Sequence, residues 1–208
     1  MWLEFKDNME PFRVFSVRDI KKMFPGMNNM NLVRWHQKGY LVKIINGWYC
    51  FPEYKPAENM MWLAANLIYA PSYISLHSAL SYYNLIPEAV YSTTSVSPRR
   101  TNQYQTSIGN FDYKTVKKSA FGFGQRLIDS VPVESSRQIV IAELEKAILD
   151  FLYINHQYSS EQDFEALRFD RTVLSTIDNA KLYSYLDRFE SNALNKRLFE
   201  MIKVYAIA

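Results

Sequence analysis

Asn31, Arg34 and Lys38 recur three and four residues apart in NNMNLVRWHQKGY, a spacing that sets them on one side of a helix. Their chemistry is hydrogen bonding to base edges. The planar fork of the Arg34 guanidinium fits the two acceptors of guanine, and the carboxamide of Asn31 offers the donor and acceptor that adenine complements. Lys21, Lys22, Lys38, Lys43 and Asn46 flank these positions and suit phosphate oxygens, contacts that set register without reading sequence.

Two other groups contain residue types that catalysis uses, and their spacing argues against both. Glu143, Glu145, Lys146 and Asp150 combine carboxylates with a lysine, as metal-dependent nucleases do to hold Mg²⁺ and activate water. On a helix, however, Glu143 and Glu145 point roughly 200° apart, and Asp112 is the one obvious further carboxylate from a strand. Ser75, His77 and Ser78 fall at i, i+2 and i+3, so the imidazole points away from Ser75 and reads as a packed or capping group. His36 and His156 have no Cys, His or carboxylate at ligand spacing. Phe121-Gly-Phe-Gly124 lacks the lysine and following helix of a phosphate loop and reads as a strand kink. The expectation is a protein that is not an enzyme and has no metal or cofactor.

The elements that must present Asn31 and Arg34 are legible around them. Asn28 or Asn29 caps a helix from about Met30 to Lys38, Gly39 ends it, and Leu32, Trp35 and His36 share its packed face. Upstream, Ser16 caps a helix from Val17 to Phe24 that Pro25-Gly26 ends. Downstream, Leu41 to Ile45 and Trp48 to Phe51 read as strands joined through Asn46-Gly47, the sequence of a type I′ turn. Helix, tight turn, helix and two-stranded hairpin is the order of a winged helix-turn-helix, whose second helix enters the major groove while the wing and first helix hold phosphates. The same shape also serves protein contact.

The 208 residues are 48% hydrophobic and 15% aromatic, enough for a substantial core and too apolar for disorder. Cys50 is the single cysteine, so no intrachain disulfide forms, which suits a reducing cytoplasm. Met1-Trp-Leu-Glu4 lacks the basic start and apolar stretch of an export signal, and no apolar run approaches the roughly 20 residues that span a bilayer. Net charge is only +3, but it is unevenly placed: +4 over residues 1–56, +2 over 57–142 and −3 over 143–208. The basic third is the one with base-reading chemistry.

The rest of the chain fills in an α+β protein. Residues 1–12 hold a first short helix, from Trp2, Leu3, Phe5 and Met9, ending before Pro11, and Arg13 to Phe15 read as a short strand that pairs with the hairpin. Pro52, Lys55, Pro56 and Glu58 mark a connector, placing a boundary near residue 55 between a winged domain, 1–55, and a mixed α/β domain, 56–208. Asn59 to Ile68 reads as a buried helix, and Ser72 caps another that includes Ile74, Leu76, Ala79, Leu80 and Tyr83. Strands are expected at 92–97, 104–108, 111–116, 122–128 and 138–142, with turns at Pro98, Gly109-Asn110 and Asp129-Ser130. Glu143 to Tyr153 returns to helix, with Lys146 and Asp150 as an i,i+4 pair worth a few tenths of a kcal/mol. Helices occupy 160–205, broken near Ser191-Asn192. Between Ser97 and Ile128, Arg99, Arg100, Lys114, Lys117, Lys118 and Arg126 face one acid, Asp112, and suggest a second basic surface for flanking DNA or an acidic partner.

The winged order followed by YAPSYISLHSALSYYNLIPE, TTSVSPRRT, IGNFDYKTV and AELEKAILDFLY resembles the AbiEi family of antitoxins from type IV toxin–antitoxin systems. The family's middle motif, Pro-Ser-Tyr-Ile-Ser-Leu-X-Ser-Ala-Leu, is met by Pro71 to Leu80. Its later motif, Pro-Glu-Lys-Ala-Leu-Leu-Asp, is met by Leu144 to Asp150, with Leu144 for the proline and Ile148 for a leucine. The resemblance runs from about residue 13 to 205 and takes in the closing KLYSYLDRFESNALNKRLFEMI. It implies a cytoplasmic bacterial repressor of its own operon that binds inverted repeats in its promoter. It also implies an antitoxin function in the C-terminal domain, against a nucleotidyltransferase-type toxin with which no stable complex forms. Two alternatives are a module that neutralises a toxin by direct contact, suggested by the acidic C-terminal helices, and a regulator with no toxin.

Overall fold

Aromatic side chains organise the first fifty residues. In the computed structural model, which describes residues 1–54, 58–129 and 137–206, helix α1 (Trp2–Met9) buries Phe5 and Met9 and gives way to a 3₁₀ turn at Pro11. Strand β1 (Val14–Ser16) leads directly into α2 (Val17–Met23), because Ser16 and Asp19 form a reciprocal capping box at the junction. Helix α3 (Met30–Gln37) follows, then β2 (Val42–Ile45) and β3 (Trp48–Cys50). β3 lies between β1 and β2, antiparallel to both. Phe5, Phe15, Ile20, Leu32, Trp35, Leu41, Tyr49 and Phe51 close around one another, with the Phe5 and Trp35 rings 4.6 Å apart and those of Phe15 and Phe51 5.2 Å apart.

The hairpin turn differs from the expected type I′. Gly47 has φ +79°, but Asn46 is not among the residues with positive φ, and type I′ requires both. The Gly47 carbonyl accepts the Val17 N–H at 2.9 Å, tying the turn to the start of α2, and an irregularity between Lys43 and Ile45 adjusts the register of β2.

The opposite side of this small sheet is apolar too. Val14, Ile44 and Cys50 join the larger core, where they meet α4 (Glu58–Ile68), a helix apolar nearly all round and covered on both sides. Lys55 and Pro56, the expected connector, lie outside the described residues, as does Ser130 of the expected Asp129-Ser130 turn.

Beyond α4 stands a six-stranded mixed sheet in the order β6-β7-β5-β4-β9-β8, built from β4 (Tyr73–Ile74), β5 (Ser92–Ser97), β6 (Asn102–Gln105), β7 (Asn110–Thr115), β8 (Gln125–Asp129) and β9 (Gln138–Ala142). β4 corrects the sequence reading, which placed Tyr73 and Ile74 inside a helix capped by Ser72. They form a two-residue strand, antiparallel to β5 and parallel to β9, and the helix α5 (Leu76–Tyr82) starts only after Ser75. α4 covers one face, where Tyr113 donates to the Ala65 carbonyl at 2.8 Å and Asn66 Oδ1 accepts the Val140 N–H at 2.7 Å. α5 and α6 (Leu144–Ile154) cover the other, backed by α7 (Glu161–Leu167), α8 (Arg171–Leu174), α9 (Asn179–Phe189) and α10 (Asn192–Tyr205). No helix among the described residues is long and apolar enough to cross a membrane.

Candidate nucleic-acid interface

α3 is held from behind by two side chains. Leu32 and Trp35 are buried, and Trp35 lies against Trp2 and Phe5 of α1 at 4.9 and 4.6 Å. Asn28, rather than Asn29, caps the helix: its Oδ1 accepts the Met30 N–H at 2.8 Å. Gly39, at φ +72°, ends it, and the Tyr40 N–H returns to the Trp35 carbonyl at 2.8 Å.

That anchorage leaves Met30, Val33, Arg34, His36, Gln37 and Lys38 exposed. Asn31 is half-buried, its amide 3.9 Å from the Met1 sulfur. His36 departs from the expected packed face. Leu32 and Trp35 form a narrow apolar stripe, and the imidazole beside it is solvent-exposed, with Nδ1 3.1 Å from the Leu41 carbonyl, where it braces the chain after Gly39.

Around α3, Lys21 and Lys22 are exposed on α2, and Lys43 and Asn46 on the hairpin. Among the described residues, no carboxylate pairs with Lys21, Lys22, Arg34, Lys38 or Lys43. Arg18 is exposed on α2 as well, and its spacing of three and four residues from Lys21 and Lys22 is a signal that the sequence carried. Val33 and Gln37 belong to the open face of α3 for the same reason.

The second basic surface does not assemble as one patch. Lys114 lies on β7 and Arg126 on β8, four places apart in the sheet order, which at about 4.8 Å per strand separates them by about 19 Å. The Arg99 guanidinium sits 4.0 Å from the centre of the Tyr69 ring and donates to the Ala70 carbonyl at 3.0 Å, and Lys117 pairs with Glu190 at 3.2 Å. Arg100 and Lys118 are exposed, and Lys114 is half-buried.

The acidic set on α6 is pulled in separate directions. Glu145 accepts the Asp178 N–H at 2.9 Å, while Glu143 accepts from Tyr185 at 2.6 Å and lies 3.5 Å from Lys181. Lys146 and Asp150, read from sequence as an i,i+4 pair worth a few tenths of a kcal/mol, are sealed inside the protein, on a helix buried from Leu144 to Leu152. Lys146 Nζ pairs with Asp150 and donates to the Tyr73 hydroxyl at 2.7 Å. Asp150 Oδ2 accepts from Tyr73 and Ser75, both at 2.8 Å. Ser75 is therefore committed to Asp150, Ser78 to Thr94, and the His77 ring rests edge-on against Phe151 at 5.2 Å. No group of three His, Cys, Asp or Glu among the described residues is placed to share a metal ion. No protein-family model matches this sequence, and no curated protein matches it.

Proposed function

We propose that the chain is a sequence-selective DNA-binding repressor of its own operon and the antitoxin of a type IV toxin–antitoxin system. In this reading residues 1–55 are a winged helix-turn-helix that reads inverted repeats, with Arg34 and Asn31 on base edges and Lys21, Lys22, Lys38, Lys43 and Asn46 on phosphates. Residues 56–208 carry the antitoxin effect against a nucleotidyltransferase-type toxin without a stable complex. The observation that carries it is the exposed side of α3, where Arg34 and Lys38 are free of carboxylate partners among the described residues, together with the exposed Lys43 and Asn46 on the hairpin that follows. The antitoxin half rests on the family resemblance, supported by one convergence. The two motifs that carry the resemblance, Pro71 to Leu80 and Leu144 to Asp150, supply Tyr73, Ser75, Lys146 and Asp150 to a single buried cluster.

Fluorescence anisotropy with the chain's own promoter fragment against a random duplex tests the repressor. The logarithm of affinity is expected to fall with log salt by roughly 0.9 per phosphate contacted. Arg34→Ala narrows the gap between promoter and random duplex; Lys43→Ala weakens both and removes about 0.9 from the slope. Equal affinity for the two duplexes in the unaltered protein sinks the proposal. A second reading, neutralisation by direct protein contact, is favoured by Phe199, two-thirds exposed on α10 beside a groove of about 700 Å³ that Lys196, Arg197 and Glu200 help to line. Co-purification of a tagged chain with the product of the neighbouring gene separates the two.

A further inference from the structure

Arg137 immediately precedes β9, and its guanidinium reaches away from the large sheet to bind two parts of the N-terminal unit at once. Nη1 donates to the carbonyl of Val14 in β1 at 2.7 Å, and Nη2 lies 3.0 Å from Oδ1 of Asp19 in α2. The guanidinium carbon is 5.0 Å from the centre of the Phe12 ring. The ion pair is sheltered, with side chains 19% and 20% exposed. The other oxygen of Asp19 accepts the Ser16 N–H at 2.9 Å and the Ser16 hydroxyl at 2.8 Å. One carboxylate thus starts α2 and fastens it to a residue more than a hundred positions away, just ahead of β9.

Much of the remaining contact between the two units is apolar, through Val14, Ile44 and Cys50, with the Ser107 hydroxyl donating to the Lys43 carbonyl at 3.2 Å. Apolar contact is non-directional and tolerates sliding; a planar fork on two fixed acceptors does not. The Ser107 contact also places the β6–β7 loop beside the hairpin. On the DNA-binding reading, a duplex seated on α3 and Lys43 would have to pass that loop, so the angle between the units would decide whether it clears.

We infer that Arg137 is a positioning residue for DNA binding, holding α2 and the α3 packed with it at the one angle to the large sheet that admits a duplex. The inference rests on reading residues 1–55 as the DNA-binding unit. If the clamp is lost, other angles become populated, and apparent affinity falls by the fraction of molecules no longer competent.

The test compares full-length wild type, Arg137→Ala and Arg137→Lys. Without DNA, hydrogen exchange at Val14 to Ile20 is expected to be about tenfold faster in Arg137→Ala, with α3 and α6 unchanged. On the promoter duplex, Arg137→Ala is expected to bind about tenfold more weakly with an unaltered salt slope, because no phosphate contact is removed. Arg137→Lys keeps the charge but not the fork, and falls between the two. Unchanged exchange or unchanged affinity overturns the inference. So does a reduced salt slope, which makes Arg137 a phosphate contact, and so does faster exchange across α3, which makes the loss one of unfolding. If the wild type itself prefers no duplex, the functional reading fails, and the exchange measurement alone decides whether the clamp exists.

Discussion

Lys146 shows how far a single side chain's meaning depends on where its helix packs. Its ammonium lies 4.7, 5.0 and 5.2 Å from the ring centres of Phe189, Phe123 and Tyr73 and is out of reach of water. Burial pushes the Lys146 pKa down, opposed by Asp150, while burial and then Asp150 push the Tyr73 hydroxyl well up. Lys146, Asp150, Tyr73 and Ser75 satisfy one another, so the instability of the set appears when one member goes. Lys146→Met leaves the Asp150 carboxylate buried without a counter-charge and is expected to lose about 3–5 kcal/mol in urea unfolding. Lys146→Met with Asp150→Leu removes both charges, and the double variant should regain part of that loss, the stranded Tyr73 and Ser75 hydroxyls still costing about 1–3 kcal/mol each. A double variant no more stable than the single one shows that the charge left behind is not what destabilises.

At the scale of elements, those whose signal is local were legible and those defined by neighbours were not. Ser16 before an amphipathic run, Gly39 after one, and Asn46-Gly47 between apolar strands are short-range statements, and α2, α3 and the hairpin stand within a residue or two of where they were expected. β4 is a strand only because β5 and β9 pair with it; two residues carry no period, and the serines around Tyr73-Ile74 read equally well as a cap. The clamp had no signal at all, because nothing around Arg137 points to Asp19. Partial burial pushes the Asp19 carboxyl up, but the Ser16 and Arg137 hydrogen bonds outweigh it and hold it below the usual carboxylate range. A carboxylate lowered in the folded state contributes stability that is fully present above its unfolded pKa and disappears as pH falls through the folded value. Asp19→Asn should therefore lower stability by about 1 kcal/mol at pH 7, the usual worth of a cap. That gap should begin to narrow below about pH 4, the unfolded carboxylate pKa, and close as pH falls through the lower folded value. Thermal unfolding across pH measures it, and a gap that persists unchanged at pH 2 to 3 denies Asp19 the ionised role.

Across the whole molecule, charge follows the layering. Residues 1–54 pack on the α4 side of the large sheet, and α6 to α10 lie on its other side; the sequence carries +4 over residues 1–56 and −3 over residues 143–208. A net charge of +3 conceals this separation. A molecule so polarised is turned basic side first by a polyanion, and its acidic side discourages attachment in other orientations. Glu165, Asp187 and Glu200 lie on the acidic side, the first two exposed and the third half-buried. On the DNA-binding reading, converting Glu165 and Glu200 to Gln and Asp187 to Asn should raise affinity for random duplex about two- to fivefold at about 50 mM salt. The effect should vanish near 0.5 M, where screening reaches only a few ångströms. Dissociation from the promoter should not change, since no promoter contact is touched. Anisotropy titrations at the two salt concentrations measure both. If the variant and the wild type bind random duplex alike at low salt, the acidic side lies too far from DNA to steer it, and orientation depends on α2, α3 and the hairpin alone.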